Sequence, residues 1–160
     1  MKKYLPLCIP VLMLGLFFFS SQESGDTNSV SFGVCGIAAR LLYFNFEHFE
    51  ADVQQDLVIG LNPFIRKAAH FALYALLGAL CYLCLHRQKR GISTSMSIAA
   101  LFAALDEFHQ LFVDGRTGKI TDILLDCIGS ACGIFAAFLL LCLLHCLKDK
   151  QITEKGVWKK

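Results

Sequence analysis

The chain has little net charge, no cysteine framework and no internal repeat, and each absence limits what the protein can be. A formal net charge of +2 is too small to indicate a partner, so only the placement of the charges is informative. The eight cysteines lie, except for Cys35, in apolar runs, where cysteine behaves as a small hydrophobic residue rather than as part of a disulfide scaffold. The lack of an inverted repeat argues against a transporter built from two related halves.

Long apolar blocks are what the sequence does have. Of its 160 residues, 56% are hydrophobic, and the mean hydropathy is +0.55. This is too apolar for an ordinary soluble domain of that length. We therefore predict an all-α integral membrane protein, a four-helix bundle with amphipathic helices lying at the membrane surface in its first outer loop.

Four segments are predicted to cross the membrane, at about residues 4–19, 63–85, 96–113 and 121–147. The first is interpreted as a retained helix because residues 17–20 lack the small-residue pattern of a signal-peptide cleavage site. Asn62 and Pro63 predict the start of the second helix. Residues 1–147 would form the transmembrane domain, and 148–160 a basic cytoplasmic tail near anionic lipids rather than a nucleic-acid site.

Shorter signals fill the connections between these segments. Residues 93–95, Ser-Thr-Ser, are predicted to cap the third helix. Residues 30–49 place apolar side chains at helical spacing and then alternate phenylalanine with polar residues. This pattern predicts one or two amphipathic helices at the membrane surface, with the aromatic side inward, and a further short helix over residues 51–61.

The distribution of lysine and arginine predicts the orientation. With both termini in the cytoplasm, the cytoplasmic segments hold ten of the fifteen Lys and Arg residues and the outer segments hold five. Six acidic residues of the first loop also fall outside. This bias favours a multi-pass protein of the plasma membrane with both ends inside.

Several charged residues interrupt the apolar helices, and carboxylates inside a membrane helix are costly. Three sets share a helix face at a spacing of four residues: Arg66, His70 and Tyr74; Asp106 and Gln110; Asp122 and Asp126. The predicted topology puts all of them in the outer half of the bilayer, where they would line one outward-opening pocket. Whether Glu107 and His109 line this pocket or only rim it is left open. The alternative is that these groups are polar contacts that hold the helices together.

The same residues carry a family resemblance, which covers nearly the whole chain. The motifs are Arg66-Lys67-x-x-His70-Phe71-x-x-Tyr74, Asp106-Glu107-x-x-Gln110-x-Phe112, Arg116, Asp122-x-x-x-Asp126-x-x-Gly129 and Ser20-Ser21-Gln22-x-Ser24. Together they resemble the VanZ-like family. The resemblance implies a small bacterial membrane protein and an association with resistance to the glycopeptide antibiotic teicoplanin, but no defined reaction. In that family Asn often stands where this chain has Asp126, which implies a need for hydrogen bonding there.

Two functions from different classes fit the predicted pocket. In the first, an outer-leaflet enzyme acts on a phosphate-bearing lipid head group or a lipid-linked cell-wall precursor. Its candidate catalytic residues are His70, Asp106, Glu107 and Asp122, and its candidate substrate-binding residues are Arg66, Lys67, Tyr74, Gln110, Arg116 and Asp126. In the second, the pocket only binds such a lipid and limits the access of the antibiotic. Membrane lipids are the expected partners, no nucleic acid is expected, and the oligomeric state is left open.

Metal binding is a further alternative at two places. Asp106, Asp122 and Asp126 could hold Mg²⁺ or Mn²⁺, which prefer oxygen ligands, although the sequence contains no complete ligand motif. At the inner ends of the second and fourth spans, a group of thiols and one imidazole could meet around zinc: Cys81, Cys84, Cys142, His145 and Cys146. Their spacing fits no standard zinc module, and small residues at helix interfaces are the competing interpretation. Gly129-x-x-x-Gly133 is interpreted as such a close helix contact.

Overall fold

The computed structural model describes residues 9–15, 29–113 and 118–157, and these residues are organised as helices. In chain order they form α1 (residues 9–15), α2 (Ser29–Leu42), a 3-10 helix (Phe46–His48), α3 (Ala51–Leu85), α4 (Gly91–Gln110) and α5 (Ile120–Val157). No strand occurs in the described ranges. The prediction of an all-α protein is confirmed.

Two of the described helices are long and apolar enough to cross a bilayer, Ala51–Leu85 and Ile120–Lys148. Only 28% of the most apolar stretch of each is buried within the protein, whereas the core helix of a soluble protein would be mostly covered. Phe135, Leu139 and Leu143 are among the large apolar side chains that α5 turns outward. These surfaces fit a lipid environment. The four-span bundle, its topology and the first span remain predictions.

Helices α3 and α5 form the largest helix–helix interface of the described residues. The contact is close because glycines of α5 face the backbone of α3: a Cβ atom on Gly129 would lie 2.6 Å from the carbonyl oxygen of Phe71. A Cβ atom on Gly133 would overlap the carbonyl oxygen of Ala75. The interpretation of this glycine pair as a helix-packing motif is confirmed, and it fixes which face of α5 meets α3.

The apolar core lies where α3 and α4 meet, with side chains of α1 and α5 around it. Tyr74, Leu77 and Cys81 of α3 pack with Ala103 of α4, and all four are fully buried. Side chains from α1, α3, α4 and α5 surround them: Ile9, Leu12, Met13, Leu73, Ile98, Phe102 and Ile123. Three of these come from α1, so the described part of the first predicted span packs against the bundle.

Helix α2 confirms the helical part of the prediction for residues 30–49, but its packing differs. Cys35 and Ala39 are fully buried, while Ile37 and Leu41 are exposed, so the small residues face the protein and the large ones face outward. Phe46 of the 3-10 helix is also buried. The placement of this segment at a membrane surface stays a prediction, and its outward apolar face is suited to lipid.

The predicted helix start at Asn62–Pro63 is wrong. Helix α3 is continuous from Ala51 to Leu85 with Pro63 inside it, so the short helix expected over residues 51–61 is its first part. Pro63 removes one hydrogen bond from the helix interior. The part of α3 before Pro63 packs against α2. The Cys35 Sγ of α2 lies 3.9 Å from the Asn62 Oδ1 of α3.

The predicted cap of the third helix is also wrong. Helix α4 begins at Gly91, and the Ser95 hydroxyl donates a hydrogen bond of 2.7 Å to the carbonyl oxygen of Gly91 inside the first turn. The preceding loop is so tight that a Cβ atom at Gly91 would overlap the carbonyl oxygen of Leu85. The loop therefore turns directly into the helix. At the other end of the chain, α5 continues to Val157, into the residues predicted as a polar tail.

Candidate functional site

Three polar side chains are buried at the C-terminal end of α4. Asp106 is fully buried, and Glu107 and Gln110 are nearly so. The Gln110 Nε2 donates a hydrogen bond of 3.3 Å to the Asp106 Oδ2, as expected for two residues spaced by four on one helix. An ionisable carboxyl with no solvent exposure requires compensating neighbours.

Glu107 joins the end of α4 to the start of α5. Its Oε2 accepts a hydrogen bond of 2.8 Å from the backbone N–H of Lys119. Gly118 lies close against the same turn of α4, since a Cβ atom there would be 2.8 Å from the carbonyl oxygen of Glu107. Glu107 is thus buried and connects the end of α4 to the start of α5.

A histidine of α3 faces an aspartate of α5 across the helix interface. The His70 Nδ1 lies 4.0 Å from the Asp126 Oδ2, and Asp126 is 1% exposed. One ligand atom each from His70, Asp106 and Asp126 lies within 4.8 Å of the others. Three helices thus bring one imidazole and two carboxylates to a single point, which we call the HDD cluster.

Tyr74 lies one helical turn after His70 and borders the HDD cluster. The two rings are stacked, with centroids 6.5 Å apart and planes inclined by 19°. The Tyr74 hydroxyl is buried and has no hydrogen-bond partner among the described residues. The Tyr74 ring lies against His70, a member of the HDD cluster. The site therefore contains an unused hydrogen-bonding group beside the HDD cluster.

The cationic residues of α3 have different surroundings. The Lys67 Nζ donates a hydrogen bond of 2.8 Å to the Asp122 Oδ1, and both side chains are partly exposed. Arg66 is half-buried one turn before His70 and forms no ion pair within the described residues. Arg116, predicted to bind substrate, lies outside the described residues.

The structure thus brings most of the predicted site together but divides it into two parts. The buried part contains Tyr74, Asp106, Glu107, Gln110 and Asp126, together with His70, whose side chain is 20% exposed. Lys67 and Asp122 form an ion pair nearer the surface. The three-aspartate metal site considered from the sequence is not formed, because Asp122 pairs with Lys67 and His70 takes the third position.

The second metal hypothesis, zinc at the inner ends of the helices, finds no matching cluster. The HDD cluster is the one group of three His, Cys, Asp or Glu side chains within ligand distance among the described residues. Cys81 is buried, whereas Cys142 and Cys146 are exposed on α5. Cys81 therefore belongs to the apolar core, whereas Cys142 and Cys146 lie on the outer surface of α5.

Two features were missed from the sequence. The first is Ser130, which is fully buried and donates a hydrogen bond of 3.1 Å from its hydroxyl to the carbonyl oxygen of Tyr74. Its spacing of four from Asp126 is the signal that could have placed it on the same face of α5. The second is a cavity of about 570 Å³ at the opposite end of α4, lined in part by Tyr82, His86 and Arg90.

The described geometry defines a helical protein with long apolar helices and a buried cluster of acid–base residues between three of them. Ionisable side chains within membrane-spanning helices are rare, and they usually belong to functional sites. A model of the VanZ/LLP1 family matches residues 7–142. The chain belongs to this family, which is associated with glycopeptide resistance. No curated protein and no solved structure matches the chain significantly.

Proposed function

We propose that this VanZ/LLP1-family protein acts on a phosphate-bearing lipid head group, or on a lipid-linked cell-wall precursor, at the buried site between α3, α4 and α5. In this proposal the protein is a multi-pass protein of the bacterial plasma membrane with both termini in the cytoplasm. The site then opens toward the outer leaflet. The HDD cluster, with two carboxylates and an imidazole in one buried place, is the observation that carries the proposal.

Acid–base chemistry is supported by the kind of residues in the HDD cluster and by their burial. An imidazole facing a carboxylate is a pair that can accept and donate a proton. Here His70 is 20% exposed at its side chain, while Asp126 is buried. His70 is thus the member of the pair that a substrate can reach, and Asp126 is placed to orient it.

Phosphate binding is supported by Arg66. A guanidinium binds phosphate through paired hydrogen bonds, and Arg66 shares a face of α3 with His70 at a spacing of four residues. It forms no ion pair with the described part of the chain, so its charge is available to a ligand. The apolar surfaces of α3 and α5 would accommodate the acyl or isoprenoid chains of the same molecule.

The experiment uses purified full-length protein in lipid nanodiscs, supplied either with an isoprenoid-linked phosphate or with a glycerophospholipid. Mass spectrometry follows the loss or transfer of the head group. Wild-type protein is expected to convert one of the two lipids, and which one identifies the source of the phosphate. Arg66→Ala should raise KM, whereas His70→Gln should lower kcat. Unchanged KM and kcat in these two variants would contradict the proposed roles.

The same experiment decides between catalysis and binding alone. A non-catalytic lipid-binding protein that limits antibiotic access would bind one of the lipids without converting it. Its lipid affinity would also survive Asp106→Glu, since binding depends more on the charge of the carboxylate than on its exact position. Catalysis depends on both, so turnover would fall in this variant. Saturable binding with no product at long incubation would therefore replace the enzymatic proposal by the binding one. Neither binding nor turnover of either lipid would contradict both.

A further inference from the structure

We propose that His70, Asp106 and Asp126 bind one divalent metal ion of the Mn²⁺, Fe²⁺ and Zn²⁺ group. This inference does not depend on the lipid chemistry proposed above, because it concerns the ligand atoms of the chain alone. With an ion bound, His70 and Asp126 would be ligands, and a water molecule on the ion would supply the acid–base group in place of the His70 imidazole. It also differs from the three-aspartate site considered from the sequence, since the third ligand is an imidazole. The site lies where α3, α4 and α5 meet.

The distances fit a metal site with modest side-chain adjustment. The three ligand atoms lie within 4.8 Å of one another, and the His70 Nδ1 and Asp126 Oδ2 are 4.0 Å apart. Atoms about 2.1 Å from a tetrahedrally coordinated ion lie about 3.4 Å apart. Closure around an ion therefore requires the ligand atoms to approach by about 0.6 Å for the 4.0 Å pair and by up to about 1.4 Å for atoms 4.8 Å apart, a range that side-chain rotation covers.

The donor set selects the class of ion. Two carboxylate oxygens and one imidazole nitrogen are a mixed set, which suits Mn²⁺, Fe²⁺ or Zn²⁺ better than Mg²⁺, since Mg²⁺ prefers oxygen ligands only. Three protein ligands also leave at least one coordination position open for water or for an anionic ligand. Thiol-rich binding is excluded at this place, because no cysteine belongs to the HDD cluster.

A second observation, separate from the ligands, points to an additional group in the cluster. The Tyr74 hydroxyl, on the ring that stacks against His70, is buried without a hydrogen-bond partner among the described residues. Leaving a buried polar group unsatisfied costs about 1–3 kcal/mol. A water molecule held by a metal ion would satisfy this hydroxyl. The Asp126 Oδ2 is also buried without a hydrogen bond in the described residues. A carboxylate oxygen in this state can coordinate a metal ion without first breaking a hydrogen bond.

Burial of several acidic side chains in one place gives the electrostatic reason for a cation. Asp106, Glu107 and Asp126 are all buried, and an ionised carboxylate is costly in a medium of low dielectric constant unless a cation accompanies it. A divalent ion offsets two negative charges at once. The ammonium of Lys67 is held by Asp122 nearer the surface, so it is not placed in the HDD cluster.

The test measures metal binding directly in purified full-length protein. The protein in detergent is treated with a chelator and is then titrated with Mn²⁺ alone, and electron paramagnetic resonance reports the free ion. Wild-type protein should bind one Mn²⁺ per chain, and electron spin-echo spectroscopy of the bound ion should show coupling to an imidazole nitrogen. Co²⁺ in place of Mn²⁺ should give visible absorption bands of a coordinated ion.

Matched variants separate this site from other acidic groups. Asp106→Asn should reduce Mn²⁺ affinity at least tenfold, and His70→Gln should remove the nitrogen coupling. Asp122→Asn and the distant exposed Asp52→Asn should bind as the wild type does. Thermal unfolding confirms that each variant is folded. If Asp106→Asn does not fold, the test uses His70→Gln, whose side chain is partly exposed in the wild type, and its readout is the loss of the nitrogen coupling. No stoichiometric binding, or loss of binding in Asp122→Asn instead, would overturn the proposal.

Discussion

Lys67 and Asp122 join α3 to α5 through a hydrogen bond of 2.8 Å between the ammonium nitrogen and one carboxylate oxygen. The pair precedes the His70–Asp126 contact along the same two helices. The two aspartates of α5 therefore have different surroundings. Asp122 is partly exposed and neutralised by a cation, whereas Asp126 is buried and faces an imidazole. Asp122 and Asp126 share a face of α5 because they are four residues apart, but their roles differ.

The Lys67–Asp122 pair should contribute little to stability. Its side chains are 53% and 27% exposed, and partly exposed ion pairs gain little because solvent screens them. Lys67→Gln and Asp122→Asn are each expected to unfold at nearly the wild-type temperature in detergent. Circular dichroism during heating measures this. A large fall in the unfolding temperature for either variant would show that the pair is a main link between the helices.

The α3–α5 contact should be far more sensitive. Gly133→Ala is expected to destabilise the protein by about 1–3 kcal/mol, because the new methyl group would overlap the carbonyl oxygen of Ala75 and push the helices apart. Gly60→Ala is the matched control, since nothing lies within 4 Å of its Cβ position. It should be neutral or should stabilise α3 by up to about 1 kcal/mol. Chemical unfolding of both variants in detergent provides the comparison, and equal effects would contradict the close packing.

Two leucines test which apolar surfaces face the protein. Leu77 is fully buried, and Leu139 is 49% exposed. Leu77→Ala should cost about 2–5 kcal/mol because it leaves a cavity in the core. Leu139→Ala should cost much less, since lipid or detergent fills the space it leaves. A larger cost at Leu139 would mean that a protein surface covers α5 there.

Glu107 should hold the start of α5 to the end of α4. Glu107→Ala removes the acceptor of the Lys119 N–H and is expected to cost about 1–3 kcal/mol. It should also speed hydrogen exchange at the Lys119 amide. Glu107→Gln keeps a carbonyl acceptor and should preserve slow exchange. Hydrogen exchange followed by mass spectrometry distinguishes the two variants, and equal exchange in the wild type and in Glu107→Ala would rule out this contact.

Much of this architecture is predictable from the sequence because it depends on local patterns. Long apolar runs predict helices, and the spacing of Asp106 and Gln110 predicts their hydrogen bond. The glycines at 129 and 133 predict close helix packing. The motifs around His70 and Asp106 predict the family, which is now shown over residues 7–142.

The division of the site could not be predicted, because it depends on how the helices are rotated against one another. The glycines at 129 and 133 mark the face of α5 that packs, but no local pattern identifies Ala75 of α3 as the partner of Gly133. With this pairing, Asp126 faces His70 and Asp122 is left to Lys67. Helix ends were mispredicted for a similar reason: Pro63 is a helix-start signal in isolation, but tertiary contacts of α2 with α3 accompany the continuation of the helix through it.

The central claim is that the buried carboxylates serve chemistry and do not simply hold the helices together. The most direct test is the turnover of the lipid substrate by Asp106→Asn in nanodiscs, measured together with its unfolding temperature. We predict that turnover falls by about 10²–10⁴-fold, as expected for loss of acid–base function, while the unfolding temperature stays equal or rises, because an amide is less costly to bury than a carboxylate. Undiminished turnover, with a strongly lowered unfolding temperature, would contradict the account.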